Sequence, residues 1–336
     1  MRKNLLHKIK TFWVENYKFL LAIVLIFALF MIELPYKIYA PGGMVDLSER
    51  VSVEDGQEYD GTLGMAYVSM VKGSIPYLLL SYVIPDWDIV PESELKYDNE
   101  TMEEKIEADK ISTEQSIDSA IIAAYRLAGK EIEIESENVH ITYIDEQANT
   151  DLEILDVVKS VNGVEVKSTE ELKSLIQNYE AGEEVKFLVE RNGEEKECHA
   201  TLYDSEDGVK VGVALTVTYN YQEEPEASIT MKQSESGPSG GLMMSLAIYN
   251  SLVDEDITKG KTVVGTGTID IDGNVGAIGG VKYKLIGAVK NKADVFLVPK
   301  DNYEEAIEVK NVKGYDITIL AVDTLSDAIE SLESLD

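Results

Sequence analysis

Hydrophobic residues first gather in one uncharged block, Phe19 to Ile32, 14 residues long. A bilayer crossing needs roughly 20 residues, so the flanks must extend the block. Trp13, Tyr17 and Tyr36 stand where interfacial aromatics belong, and Lys18 can snorkel outward. The pattern predicts a membrane-spanning helix over 17–36, after a short terminus 1–16. Pro41-Gly42-Gly43 then reads as a turn and Met65 to Met70 as a strand. Residues 84–112, with Pro85, Pro91 and frequent charges, predict a solvated connection with at most one short helix. In 113–128 Ile117, Ile121, Ala124 and Leu127 share one helical face, and Gly129 is placed to cap the helix. Residues 37–130 are therefore expected to be an extracytoplasmic connecting region with strands and a helix.

Over 131–205 the period shortens to two. Val139 to Ile144 alternates as a half-buried strand, and Asp156 to Val161 ends in the turn pair Asn162-Gly163. Ser168 and Glu171 form a capping box before a helix with Leu172, Leu175 and Ile176 inward. Arg191-Asn192-Gly193 joins two strands in a hairpin. Over 206–336 strands and helices alternate: strand 211–219, helix 241–252, strand 263–271, helix 281–290, strand 295–298, helix 302–309, strand 317–322 and helix 324–332. In the second of these helices Val281, Leu285, Ala288 and Val289 point inward. The expected class is α/β or α+β, with a small β-rich module and one N-terminal apolar helix.

Charge refines this picture. The chain has 62 acidic and 30 basic residues and a net charge of −32, which disfavours nucleic acid as a partner because phosphate binding needs clustered Lys and Arg. Arg2, Lys3, Lys8, Lys10 and Lys18 precede the apolar block against the single Glu15. This bias predicts a cytoplasmic N-terminus and an extracellular remainder, anchored in the cell membrane. A cleaved signal sequence is the alternative, at Ile38-Tyr39-Ala40, but Ile38 is not small and Pro41 follows. The lone Cys198 excludes an intramolecular disulfide, and three histidines leave little for a metal centre or a histidine-based triad.

Several chemical motifs dissolve on inspection. Gly260-Lys261-Thr262 ends like a phosphate loop, yet Asp256 occupies the position that needs glycine. Asp270 and Asp272 read as a solvated turn, and His140 and His199 as structural residues on strands. The informative run is Ser236-Gly237-Pro238-Ser239-Gly240-Gly241. It places Ser239 at a helix start, among unpaired amides and the positive end of the helix dipole. On this run alone, an N-cap serine in a glycine-rich turn is the favoured reading over a nucleophile. A nucleophile would need a base, and no histidine is near. Gly279-Gly280-Val281-Lys282 offers Lys282 on the first turn of another helix. To act near neutral pH its pKa must fall by roughly 3 from about 10.4. Met243, Met244, Val281 and Leu285 are candidates for an apolar wall, and Thr266 for orienting the amine. An exposed helix lysine is the alternative for Lys282, and is the expectation for Lys284 and Lys290.

Two resemblances follow from these residues. ILDVVKSVNGVEV (154–166), the TEELKSLI helix and the FLVERNG hairpin resemble a PDZ domain, with Leu155 where glycine is usual and no glycine-rich carboxylate loop before Val139. The blocks GPSGGLMMSLAIY, TGTIDIDGNVGAIGGVKYKLIGA and ADVFLVPKDN resemble the proteolytic domain of Lon proteases, which are serine–lysine peptidases. That resemblance implies Ser239 as nucleophile, Lys282 as general base, Thr266 in support, and backbone around Gly237, Pro238 and Gly240 holding the oxyanion. Thr268 replaces the family's glutamate, and Ser236 replaces a common acidic residue. The whole order is similar to membrane-anchored PDZ/Lon-like proteases of Gram-positive bacteria. This implies an ATP-independent extracytoplasmic endopeptidase with no cofactor, cutting secreted peptides or exported, unfolded proteins. Lon-type domains often form rings, so a homo-oligomer is open. A catalytically idle PDZ scaffold that recruits exported partners is the alternative.

Overall fold

A computed structural model describes residues 2–97, 100–206, 208–232 and 234–335; the side chains of residues 2–10, basic flank included, lie outside the described residues. The chain divides into two units, one of residues 1–41 and 68–95, the other of residues 42–67 and 96–336.

In chain order the elements begin with α1 (Arg2–Met31), β1 (Tyr36–Asp46), β2 (Val51–Val53), β3 (Thr62–Lys72), α2 (Ile75–Ser81) and β4 (Asp88–Pro91). In the first unit, α1 has a run long and apolar enough to cross a membrane at Thr11–Met31. The helix stops five residues before Tyr36, where the expected span ends. Tyr36 instead opens β1, which pairs antiparallel with β4 from Tyr36↔Pro91 to Tyr39↔Asp88. Gly73 closes this turn of chain, donating to the Tyr36 carbonyl at 2.9 Å and accepting from the Leu34 amide at 2.8 Å. Lys37 and Glu92 pair at 2.7 Å.

The second unit continues with α3 (Met102–Ala128), β5 (Glu131–Ile144), β6 (Asn149–Thr150), β7 (Val157–Val161), β8 (Val164–Glu165), α4 (Thr169–Ile176), β9 (Glu184–Arg191) and β10 (Glu194–Thr201). Then come β11 (Tyr203–Ser205), β12 (Gly208–Lys210), β13 (Val213–Glu224), β14 (Ala227–Ile229), α5 (Gly241–Leu252), β15 (Thr262–Gly265), β16 (Thr268–Ile269) and β17 (Val275–Gly276). The chain closes with α6 (Val281–Lys290), β18 (Val295–Pro299), α7 (Tyr303–Lys313), β19 (Thr318–Val322) and α8 (Leu325–Glu333).

The core of this unit is a parallel sheet. Residues 62–65 of β3 pair with β15, β15 with β18, and β18 with β19. Successive side chains of a strand leave opposite faces, and the burial follows that rule. Val263, Val295 and Leu297 join Leu242, Met243, Leu246 and Leu325 in one apolar cluster. Val264, Phe296 and Val298 join Val281, Leu285 and Ala306 in another. Strands buried on both faces need apolar runs with helices on either side, which Val295-Phe296-Leu297-Val298 supplies.

Two expectations change. Residues 42–65 do not merely connect, because β3 lies inside the sheet and Leu63 and Met65 enter the core. The helix expected from 113 starts at Met102, behind a Thr101/Glu104 capping box. Charges dominate those first turns, which gives them the pattern of a solvated connection. The C-cap is as expected, with Gly129 left-handed at φ 65°.

The β-rich module has its own core of Val139, Ile141, Leu172, Ile176, Phe187 and Val189. Asn162-Gly163 and Asn192-Gly193 both have positive φ, the geometry of two-residue hairpin turns. Leu155, where PDZ sequences usually have glycine, has φ 77°; the glycine preference follows from that left-handed backbone. Buried Asp156 receives Nε and Nη2 of Arg191, each at 2.6 Å. The long β5 pairs β13 antiparallel from Val213↔Ile144 to Glu224↔Glu131. Val213 and Leu215 of β13 pack on the same cluster as Leu172 and Ile176 of α4. His140 bridges to Thr218 across this pair at 2.9 Å, the structural role expected of it.

Candidate functional site

The glycine-rich run forms a single turn of 3-10 helix, Pro238–Gly240, that runs straight into α5. Gly237 enters it at φ 108°, a conformation glycine adopts without strain. Pro238 presets the first helical φ and needs no amide partner. Ser239 is therefore half-buried on the turn just before a helix whose first eight residues are all buried.

Two elements distant in sequence hold this turn. From α3, Thr113 Oγ1 accepts the Gly237 amide at 2.7 Å, and Ser116 Oγ donates to the Pro238 carbonyl at 3.0 Å. From the far side, the strand expected over 263–271 breaks after Gly265, freeing Thr266 and Gly267. The Thr266 hydroxyl and the Gly267 amide both donate to the Ser239 carbonyl, each at 2.9 Å. Leu242 in turn donates its amide to the Gly267 carbonyl at 3.1 Å.

The same Thr266 hydroxyl accepts a hydrogen bond from Lys284 Nζ at 3.1 Å. Lys284 is 4% exposed and Thr266 wholly buried. Burial pushes the Lys284 amine down from an ordinary value of 10.5 to about 8, because a low-dielectric surrounding disfavours the charged form. The expectation that Lys284 lies exposed is thus overturned. Lys282 is half-buried and its Nζ lies over the neighbouring Tyr283 ring, 5.3 Å from the centroid. Residues 282 and 284 are two apart on one helix and face different ways. Lys284 is three residues after Val281 and one before Leu285, on the face that is already apolar. That heptad-like position was the signal available in the sequence.

Of the expected oxyanion positions, Gly237 has given its amide to Thr113 and Pro238 has none, which leaves the Gly240 amide. Beside Pro238 opens a groove of about 380 Å³, lined by Gln115, Ser119, Tyr219, Ile269, Asp270 and Val275 among others. Asp270 is taken up by its own turn, accepting the amides of Asp272 and Asn274, as a solvated loop would have it.

A three-layer α/β domain with a serine-bearing turn, interrupted by a small β-rich module, defines the class. The C-terminal proteolytic domain of Lon protease (S16) matches residues 225–333, and the PDZ domain matches residues 128–202. The chain therefore carries a Lon-type proteolytic domain and a PDZ domain. Over 97 residues it is 38% identical to the Lon protease of Campylobacter jejuni, covering 29% of this chain and 12% of that protein. Over 95 residues it is 37% identical to the Lon protease of Clostridium beijerinckii, 28% of this chain and 12% of that one. The match thus spans about an eighth of the curated relatives' length. A PDZ domain of an SdrC-like protein from Listeria monocytogenes aligns at 17% identity and a TM-score of 0.23, covering 25% of this chain and 92% of that one. A solution structure from Geobacillus thermodenitrificans aligns at 19% identity and a TM-score of 0.22, covering 24% and 98%. The helix α3, which holds the serine turn, lies outside the matched proteolytic block.

Proposed function

We propose that the chain is a membrane-anchored endopeptidase in which Ser239 is the nucleophile and Lys284, rather than Lys282, is the general base. The observation that carries this reading is the buried Lys284 amine on Thr266, whose hydroxyl in turn holds the Ser239 carbonyl. An amine with a pKa near 8 is partly unprotonated at neutral pH and can accept a serine proton once Oγ comes within hydrogen-bond reach. The Ser239 oxygen then attacks the scissile carbonyl, the charge on the carbonyl oxygen is met by the Gly240 amide at the helix start, and Lys284 returns the proton to the leaving amine. Thr266 orients the amine and fixes the nucleophile's backbone together.

The large part of the chain works outside the cytoplasm, with α1 as an uncleaved anchor, on secreted peptides or flexible segments of exported proteins. It needs neither ATP nor a cofactor. The buried Lys284 amine and the held turn that carries Ser239 support this reading over an idle scaffold. The test is hydrolysis of a fluorogenic peptide and labelling by a serine-reactive probe, using the full chain. Ser239→Ala and Lys284→Ala should each abolish turnover, while Lys282→Ala should keep most of it. If Lys282→Ala is dead and Lys284→Ala active, the base is misassigned. If Ser239→Ala hydrolyses the peptide as wild type does, the nucleophile is.

A further inference from the structure

We propose that residues 75–87 form a second membrane contact, an interfacial helix and turn that lies on the bilayer surface at the C-terminal end of α1. This rests on the reading of α1 as a membrane span. Helix α2 has no buried residue, although its sequence is IPYLLLS. Leu79 is 64% exposed, and Tyr82 and Val83 just after it are each 78% exposed. So many large apolar groups in so short a stretch of water-facing surface indicate an interaction site.

The structure also indicates which partner. Tyr77 of α2 packs edge-on against Phe30 at the end of α1, with centroids 5.4 Å apart, and Trp87 stands 6.1 Å beyond Tyr77. The apolar surface of the 75–87 segment is thus continuous with the surface of the candidate span. Tyr77, Tyr82 and Trp87 provide the amphipathic rings that settle at the headgroup level. Between Lys72 and Lys96 the sequence has no lysine or arginine, and Asp86 and Asp88 are the only charges from 74 to 90. Anionic lipid therefore offers no attraction here. Apolar burial drives the contact, which fits the acyl boundary of a bilayer of any headgroup charge.

The chain has two tryptophans, Trp13 and Trp87, near opposite ends of the proposed membrane-associated region. This suits depth-dependent quenching by lipids brominated near the headgroup. The full chain is reconstituted into phosphatidylcholine vesicles as Trp13→Phe, leaving Trp87, and as Trp87→Phe, leaving Trp13. Interfacial docking predicts about a twofold loss of Trp87 emission in brominated vesicles, unchanged by added anionic lipid or by 0.5 M salt. Leu79→Glu with Val83→Glu in the Trp13→Phe chain should remove most of that loss. Quenching of Trp13 with none of Trp87 would overturn the docking and leave the span intact. Quenching of neither would overturn the span itself. An unquenched Trp87 together with cross-linking of Leu79→Cys between chains would assign the patch to a second copy, and the proposal would fall.

Discussion

Replacing Lys284 by methionine separates the cost of the buried amine from its use. The side chain is 4% exposed, so the change from 10.5 to about 8 converts to a folding penalty of about 3 kcal/mol. The unfolded lysine keeps its proton up to about 10.5 and the folded one only to about 8, so between these values the unfolded chain binds more protons. Stability therefore climbs with pH across that window, and below about pH 8 the full penalty is in force. Lys284→Met removes the penalty and gives up one hydrogen bond to Thr266, worth about 1 kcal/mol. The variant should be more stable than wild type by about 2 kcal/mol at pH 7, and the sign should reverse, to about 1 kcal/mol less stable, by about pH 10.5. Urea titration at both pH values measures this. In the proposed mechanism the same amine sets the rate: at pH 7 about a tenth of it is unprotonated, against about one part in three thousand at a pKa of 10.5. Wild-type kcat/KM should rise about tenfold per pH unit below 8 and level off above, while Lys284→Met is inactive at every pH. A variant that is less stable at pH 7, or equally favoured at both pH values, would refute the reasoning.

Three further outcomes follow from contacts around the site and in the PDZ module. Thr113→Val keeps the shape of the side chain but leaves the Gly237 amide without its acceptor; kcat should fall about tenfold with KM unchanged, and Thr113→Ser should restore it, as steady-state kinetics will read. Gly265→Ala would put a Cβ 2.8 Å from Leu297 Cβ and 2.9 Å from its carbonyl oxygen, so a denaturation curve should show a loss of about 1–3 kcal/mol. Arg191→Met strands the wholly buried Asp156 carboxylate and should destabilise the PDZ module by about 3–5 kcal/mol, seen as early loss of amide protection in 139–202 while 241–332 stays protected.

Local periodicity made the PDZ module and the helices after residue 240 legible. Asn162-Gly163 and Asn192-Gly193 announce their turns, and the glycine-proline run announces Ser239. What stayed hidden is non-local. Nothing near Leu63 says that β3 pairs with β15, some 200 residues later. Nothing in the acidic stretch before residue 113 says that α3 extends back to Met102 and holds the Ser239 turn through Thr113 and Ser116. For the lysine, counting along a motif favoured Lys282, while the helical face of Val281 and Leu285 favours Lys284. The proposal follows the face, because burial, not position in a motif, is what lowers an amine's pKa.

The pairing of β13 with β5 constrains any visitor to the PDZ module. Domains of this type capture a peptide by letting it become an extra strand along an open rim. Here the rim is already occupied by the chain's own Val213 to Val217. A newcomer has to evict that tenant before it can lie down. The eviction would not stay local, because Tyr219, further along the same strand, gives its amide to Asp118 on α3 at 2.8 Å, five residues from the threonine that steadies Gly237. Prying the strand loose would thus tug on α3 and, through Thr113 and Ser116, on the turn that carries Ser239.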